Sequence, residues 1–160
     1  MEIEIRELIR KDRDSLNRLL SKITVFDAHD RAMAIELADI YLDKPAQEDY
    51  DFFIASDIDG EVIGYICYGP TPLTDGTYDL YWIAVDPAFT GQGVGTMLLK
   101  GVESAVKNKY GRLIIIETSS SQHYTLTRRF YVKNGYGLAE TIKDFYRPGE
   151  DRVTYLKILR

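Results

Sequence analysis

The stretch that decides the fold is Trp82-Ile83-Ala84-Val85-Asp86-Pro87-Ala88-Phe89-Thr90-Gly91-Gln92-Gly93-Val94-Gly95-Thr96-Met97-Leu98-Leu99. An apolar strand stops at Asp86-Pro87, and a turn with three glycines opens directly onto an amphipathic helix. The first N–H groups of a helix lack internal partners, and its dipole adds about half a positive charge there. Glycines lack the Cβ atoms that would keep a phosphate away from the backbone. The stretch therefore predicts a pyrophosphate-binding turn, although glycine turns before helices also form for conformational reasons alone.

The spacing of the glycines excludes two other phosphate-binding loops. A dinucleotide fingerprint has the form Gly-x-Gly-x-x-Gly, but Thr96 occupies the place of its third glycine. A mononucleotide loop ends in Gly-Lys-Ser or Gly-Lys-Thr, and no lysine follows these glycines.

Outward from this stretch the chain alternates strands and helices, with no linker, repeat or low-complexity segment. Apolar periodicity and turn residues predict strands near residues 3–5, 51–56, 61–68, 77–85, 113–116, 138–145 and 153–159. Helices are predicted from Asp12 or Asp14, from Asp27 or Asp30 to before Pro45, from 94 to about 109, and over 125–133. The order predicts one α/β domain over residues 1–160, with helices on both faces of a mixed sheet.

Composition bounds the class of protein. The 160 residues are 45% hydrophobic and 28% charged, as in a globular protein, and no apolar run approaches a membrane span. The N-terminal residues lack a signal-peptide pattern, and the single cysteine, Cys67, excludes an internal disulfide, so a cytoplasmic setting is expected. Residues 1–80 hold 8 Lys and Arg against 18 Asp and Glu, whereas residues 81–160 hold 12 against 7. This asymmetry would suit a site that joins an anionic cofactor to a cationic substrate, or it arises by chance. The charge distribution does not resemble that of a nucleic-acid-binding domain, which would be basic overall.

Two motifs resemble the Gcn5-related N-acetyltransferases (GNAT). Thr90-Gly91-Gln92-Gly93-Val94-Gly95 resembles the family's Arg/Gln-x-x-Gly-x-Gly/Ala core, with Thr90 in place of the usual Arg or Gln. About 35 residues later, Phe130-Tyr131-Val132-Lys133-Asn134-Gly135-Tyr136 resembles its Tyr-x-x-x-Gly-Phe/Tyr motif. The resemblance covers nearly the whole chain. It implies the acyl-CoA N-acyltransferase fold, a mixed sheet of about seven strands with about four helices, in which dimers are common.

The resemblance implies a co-substrate, acetyl-CoA, and no metal. Its pantetheine arm would pair with the backbone of Ile83, Ala84 and Val85, where the fourth and fifth strands splay apart. The pyrophosphate would lie at the glycine turn, whose residues are Thr90, Gly91, Gln92, Gly93, Val94, Gly95 and Thr96. Thr125, at the start of the fourth helix, would either cap that helix or touch pantetheine, and capping is favoured.

Acetyl transfer to an amine needs a proton acceptor and a proton donor. Tyr131 matches the family's acid position, since a phenol with a pKa near 10 stays protonated at neutral pH; the alternative is a tyrosine that only packs on its helix. Asp79, expected by alternation to share a face with Tyr81 and Ile83, resembles a catalytic carboxylate. Glu117 competes with it as the base, and ordered water is the third possibility.

The acceptor site is expected between residues 22–31 and 144–150. Acidic side chains in or next to these segments favour a cationic small molecule or peptide amine as the acceptor: Asp27, Asp30, Asp144, Glu150 and Asp151. Four tyrosines could supply aromatic walls: Tyr65, Tyr68, Tyr81 and Tyr146. The predicted function is N-acetylation of such an amine, with no nucleic-acid or membrane partner. The alternatives are a non-catalytic acyl-CoA sensor and a structural domain with a vestigial glycine loop.

Overall fold

A computed structural model describes residues 2–160 and confirms the predicted fold class. Seven strands form one mixed sheet: β1 (Glu4–Glu7), β2 (Asp51–Ser56), β3 (Val62–Pro70), β4 (Thr77–Val85), β5 (Leu113–Ser119), β6 (Gly137–Arg147) and β7 (Glu150–Ile158). Four α-helices flank it: α1 (Arg13–Ser21), α2 (Ala28–Asp43), α3 (Val94–Asn108) and α4 (Thr125–Lys133). Short 3-10 turns precede α1, α3 and α4.

The strand order across the sheet is β1-β2-β3-β4-β5-β7-β6. Only the β4–β5 pair is parallel among the described strands. Two apolar clusters cover the two faces: α1 and α2 pack on one, and α3 and α4 pack on the other. The middle of β3 is buried throughout, as expected for a strand between two helical layers.

Local capping explains where α2 begins, whereas α1 begins after Asp12 as predicted but without a side-chain cap. The Asp27 carboxylate accepts a hydrogen bond from the Asp30 amide at 2.8 Å, and Asp30 reciprocates to the Asp27 amide at 3.1 Å. Asp12 precedes α1 but makes no side-chain cap. Its carboxylate instead binds the Arg6 guanidinium at 2.8 and 2.9 Å and the Ile9 amide at 2.9 Å, because it is buried against β1.

A β-bulge in β4 changes which side chains face each layer. Trp82 pairs with Cys67 and Leu80 pairs with Tyr68, so Tyr81 is an extra residue between them. Leu80 and Ile83 therefore both pack toward α3, while Tyr81 contacts Tyr50 on the α1–α2 face. The expected sharing of one face by Asp79, Tyr81 and Ile83 is wrong for Ile83, since simple alternation ignores the bulge.

Candidate active site

The main cleft forms where β4 and β5 separate. Their pairing runs from Thr77 opposite Leu113 to Leu80 opposite Ile116 and then stops. Beyond that point β4 stays paired with β3 and β5 stays paired with β7, so each strand follows a different neighbour. A cavity of about 1390 Å³ fills the gap. It is lined by residues 79–85 and 117–119, the 23–27 segment with Asp30, Tyr131 of α4, and the β6–β7 hairpin.

The turn after β4 presents a row of unpaired amides. Gly93, with φ of 81°, is the residue before α3, and the first bond within this helix runs from the Met97 amide to the Gly93 carbonyl at 3.0 Å. Within residues 2–160, the amides of residues 91–96 have no hydrogen-bond acceptor. Gly91 also has a positive φ, of 82°, and a Cβ at either glycine would meet nothing within 4 Å. The turn therefore fits a phosphate, which needs close approach to several donors.

Gly95 has a different role from the other two glycines. A Cβ at Gly95 would lie 3.1 Å from the Phe130 ring, so the missing side chain lets α3 and α4 pack closely. Thr90 and Gln92 are exposed at the mouth of the turn, while Val94 is buried beneath it.

Tyr131 reaches the cleft from α4. Its side chain is only 4% exposed and packs near the rings of Tyr136 and Tyr155, at 6.4 and 6.2 Å between centroids. Burial raises the pKa of Tyr131, and the nearby Tyr124 adds to the effect. The phenol is therefore protonated at neutral pH and is available as a proton donor.

The two candidate bases both line the cleft but differ in their surroundings. Asp79 accepts a hydrogen bond from the Thr71 hydroxyl at 2.8 Å, and no cationic nitrogen of residues 2–160 lies within salt-bridge distance. Glu117 is 49% exposed and lies 3.6 Å from the Arg152 guanidinium. Arg152 also binds Glu140 at 2.9 Å and covers the Phe145 ring. Glu117 therefore has a protein counter-ion in Arg152, whereas Asp79 has none among residues 2–160.

The backbone that was expected to bind pantetheine does line the cleft, whereas Thr125 does not. Ile83, Ala84 and Val85 form part of the cleft wall. Thr125 is the first residue of α4, and its hydroxyl donates to the Gln122 carbonyl at 2.9 Å. The predicted capping role is wrong, because the preceding 3-10 turn places Tyr124 at the cap position.

Both expected acceptor segments contribute to the cleft, but several of their side chains do not. Tyr81 and Tyr146 line it, whereas Tyr65 and Tyr68 are buried in the core at 0% and 3% exposure. As walls these two were wrongly predicted, because both faces of β3 are covered. Asp144 and Asp151 bind backbone amides of the hairpin instead of lining the cleft.

Several lining residues escaped the sequence reasoning, among them Trp82, His123 and Tyr124, and Phe26 was not named although it lies in the expected 22–31 segment. Phe26 and Trp82 form an edge-to-face pair with centroids 5.3 Å apart, and neither belongs to a motif that would single it out in the sequence. His123 and Tyr124 lie on a three-residue 3-10 turn, too short for any periodic signal.

In residues 2–160, no three His, Cys, Asp or Glu side chains are grouped as a metal site. Of the helices described, none has the length and apolar character to span a membrane.

Comparison with known proteins shows relatives along the whole chain. The profile of the acetyltransferase (GNAT) family matches residues 13–136. An uncharacterised N-acetyltransferase from Methanocaldococcus jannaschii is 33% identical over 106 residues, which span 66% of this chain and 65% of that protein. A crystal structure of a GNAT-family protein from Desulfovibrio desulfuricans superposes with a TM-score of 0.95 at 38% identity, covering 99% of this chain and 100% of the other. An aminoglycoside 6'-N-acetyltransferase complexed with coenzyme A shares the fold, with a TM-score of 0.76 at 19% identity over 98% of this chain and 97% of that one.

Proposed function

The chain belongs to the GNAT family of acetyltransferases, and from that premise we propose that it transfers an acetyl group from acetyl-CoA to a primary amine. The observation that carries the proposal is the separation of β4 from β5, since the resulting cleft is lined by Tyr131 and Asp79 and by the end of β4, the strand that leads into the amide-rich turn. The coenzyme A complex of the aminoglycoside acetyltransferase supports the choice of co-substrate.

Different residues in and beside the cleft are placed to bind different parts of the co-substrate. The unpaired amides of residues 91–96 and the dipole of α3 suit the pyrophosphate. The unpaired edge of β4 at residues 83–85 suits the amide groups of the pantetheine arm. Acetyl-CoA, when bound, supplies the acetyl group as a thioester, whose C–S bond breaks as the C–N bond to the amine forms.

Two side chains then handle the protons. The acceptor reaches the cleft as an ammonium, with a pKa near 10, and must lose a proton before its nitrogen can attack. Asp79, held by Thr71, takes that proton directly or through one water. Tyr131 gives a proton to the departing sulfur, because burial keeps its phenol in the protonated form.

The charge of the cleft favours a cationic acceptor. Five carboxylates line it, those of Asp27, Asp30, Asp79, Glu117 and Glu150. The same walls carry the aromatic rings of Phe26, Tyr81, Trp82, Tyr124 and Tyr146. Carboxylates beside aromatic faces bind ammonium groups well. A small-molecule or peptide amine is therefore the substrate class we assign.

Binding and turnover test the proposal separately. At 100 times the dissociation constant, acetyl-CoA adds about 2.7 kcal/mol to the free energy of unfolding, which raises Tm by roughly 5–10 °C for a chain of this size. We expect that shift with acetyl-CoA and with CoA, but not with NADH. No shift with millimolar acetyl-CoA would refute the proposal, and a shift without turnover of any amine would favour the acyl-CoA sensor.

Three variants then assign the roles. Tyr131→Phe and Asp79→Asn should each lower kcat by about 100-fold or more while the acetyl-CoA shift in Tm remains. Glu117→Gln is the matched control for the loss of a carboxylate, and it should change kcat by less than about tenfold. Equal losses in Asp79→Asn and Glu117→Gln would contradict the assignment of the base.

A further inference from the structure

The backbone of Tyr131 is held by the turn that ends α4. The Tyr131 carbonyl accepts hydrogen bonds from the Asn134 amide at 3.1 Å and from the Tyr136 amide at 3.0 Å. The Gly135 amide donates to the Val132 carbonyl at 3.1 Å, and Gly135 has a φ of 93°. These bonds form a Schellman motif, in which the longer of the two closing bonds joins Tyr136 to Tyr131. The position of Tyr131 therefore depends on where Tyr136 is fixed.

The ring of Tyr131 is packed by the same residue. Its centroid lies 6.4 Å from that of Tyr136, and both side chains are buried, at 4% and 2% exposure. A proton donor must keep its hydroxyl free for the departing sulfur, so its placement has to come from its backbone and its ring. Tyr136 contacts both, and any shift of Tyr136 therefore shifts the Tyr131 phenol as well.

Tyr136 is in turn fixed by an ionic network from two other elements. Its hydroxyl donates to the Glu103 carboxylate of α3 at 3.0 Å. Lys157 of β7 donates to both oxygens of Glu103, at 3.1 and 3.3 Å, and to the Asn134 carbonyl at 3.1 Å. The Lys157 ammonium also lies 5.6 Å from the centre of the Tyr136 ring. Glu103 and Lys157 therefore hold both the side chain of Tyr136 and the end of α4.

A carboxylate is an unusual choice for the position of Glu103 on α3. Leu99 and Val106, about one helical turn to either side, are completely buried in the apolar core. Taking a carboxylate out of water costs free energy, and an apolar residue of similar size often stabilises such a site as well or better. The charged group adds direction instead, since hydrogen bonds fix the placement of Tyr136 more narrowly than apolar contacts do.

We propose that Glu103, together with Lys157, is a positioning residue for Tyr131. Through Tyr136 and the end of α4 it sets the place of the phenol that gives its proton to the departing sulfur. Because α3 begins at the glycine turn, the same link keeps the proton donor in register with the proposed pyrophosphate site. Glu103 and Lys157 lie outside the lining of the cleft, so they act through Tyr131 and touch no substrate. The inference rests on the proposed acetyl transfer, with Tyr131 as its acid, and deepens it.

Two variants weaken the network and keep the ring packing. Tyr136→Phe removes only the hydroxyl that binds Glu103, and Lys157→Met removes the bonds to Glu103 and to the Asn134 carbonyl. Each should lower kcat by about tenfold, less than the loss expected for Tyr131→Phe, because the donor is displaced and not removed. The dissociation constant for acetyl-CoA, measured by calorimetry, should change by less than about twofold, since the cleft lining is untouched. Unchanged kcat in both variants overturns the inference.

A control and a conservative variant accompany them. Lys109→Met, at the C-terminal end of α3, removes an ion pair with Asp51 at 3.2 Å that lies outside the network, and it should leave kcat unchanged. Glu103→Gln keeps an oxygen that accepts from the Tyr136 hydroxyl, whereas Glu103→Leu keeps none. Glu103→Gln should therefore retain more of the wild-type kcat than Glu103→Leu, and equal losses in the two overturn the positioning role.

A double-mutant cycle separates positioning from a general structural role. Once Tyr131→Phe has removed the donor, adding Tyr136→Phe should lower kcat no further, because the second change acts through the missing phenol. A further loss of about tenfold in the double variant overturns the inference and leaves the proposed acetyl transfer standing. Wild-type kcat in Tyr131→Phe overturns both the assigned acid and this inference. Absence of turnover with every amine tested overturns the proposed function as well.

Discussion

Gly93 and Gly60 offer a matched pair for testing the phosphate-binding turn. Both have a left-handed backbone, with φ of 81° and 82°, and a Cβ at either position would meet nothing within 4 Å. Alanine should therefore cost each site the same backbone strain, about 1–2 kcal/mol, and no steric clash. For a chain of this size that lowers Tm by roughly 2–8 °C in both variants. Gly60 lies in the β2–β3 turn, whereas Gly93 lies at the start of α3.

The two variants should separate when acetyl-CoA is added. The Cβ in Gly93→Ala occupies the space through which a phosphate would approach the unpaired amides, and the loss of one hydrogen bond to a charged group costs about 1.5–3 kcal/mol. The dissociation constant for acetyl-CoA, measured by calorimetry, should rise by about tenfold or more in Gly93→Ala and stay unchanged in Gly60→Ala. Equal affinities in the two variants would refute the placement of the pyrophosphate at this turn.

Three further perturbations follow from packing, ionisation and burial. Gly95→Ala pushes against the Phe130 ring and should lower the free energy of unfolding by about 1–3 kcal/mol; Phe130→Leu in the same chain should restore part of it, as measured by urea unfolding. Burial is the largest single influence on Asp12 and opposes its ionisation, but the hydrogen bonds from Arg6 and the Ile9 amide and the charge of Arg6 together outweigh it and lower its pKa. The stabilisation that ionised Asp12 gives the fold is thus fully present above the unfolded-state pKa near 3.9 and is lost as the pH falls through the folded-state pKa. Asp12→Asn should therefore flatten the dependence of the free energy of unfolding on pH in that acid range. Cys67 is 0% exposed and burial raises its pKa, so a thiol reagent should label it only after unfolding; rapid labelling of the native protein would contradict its place in the core.

Some of the candidate site could be read from single segments of the sequence. The bounds of β2, β4 and α4 agree with their predicted ranges, because turn residues or caps stand at their ends. The glycine turn could be predicted for the same reason, since unpaired amides at a helix start are a local property of the chain. Tyr131 was found through a motif on one helix. Each of these features depends on residues close together in the chain.

The walls of the cleft depend on contacts between distant segments, and periodicity alone could not give them. The bulge at Tyr81 reversed the face assigned to Ile83, because an extra residue in β4 is visible only in its pairing with β3. Tyr65 and Tyr68 were expected in the cleft but lie in the core, since strand order determines whether a side chain meets a helix or a gap.

The sequence by itself determined the alternation of strands and helices, the glycine turn at the start of α3 and the family resemblance, all of which arise from local spacing. Only the tertiary structure decided that Glu117 has a counter-ion while Asp79 has none within residues 2–160, because Arg152 comes from β7, far along the chain. It also decided that Phe26 and Trp82 form one surface. The physical reason is that charge compensation and burial are set by which side chains meet in space, and those partners lie tens of residues apart.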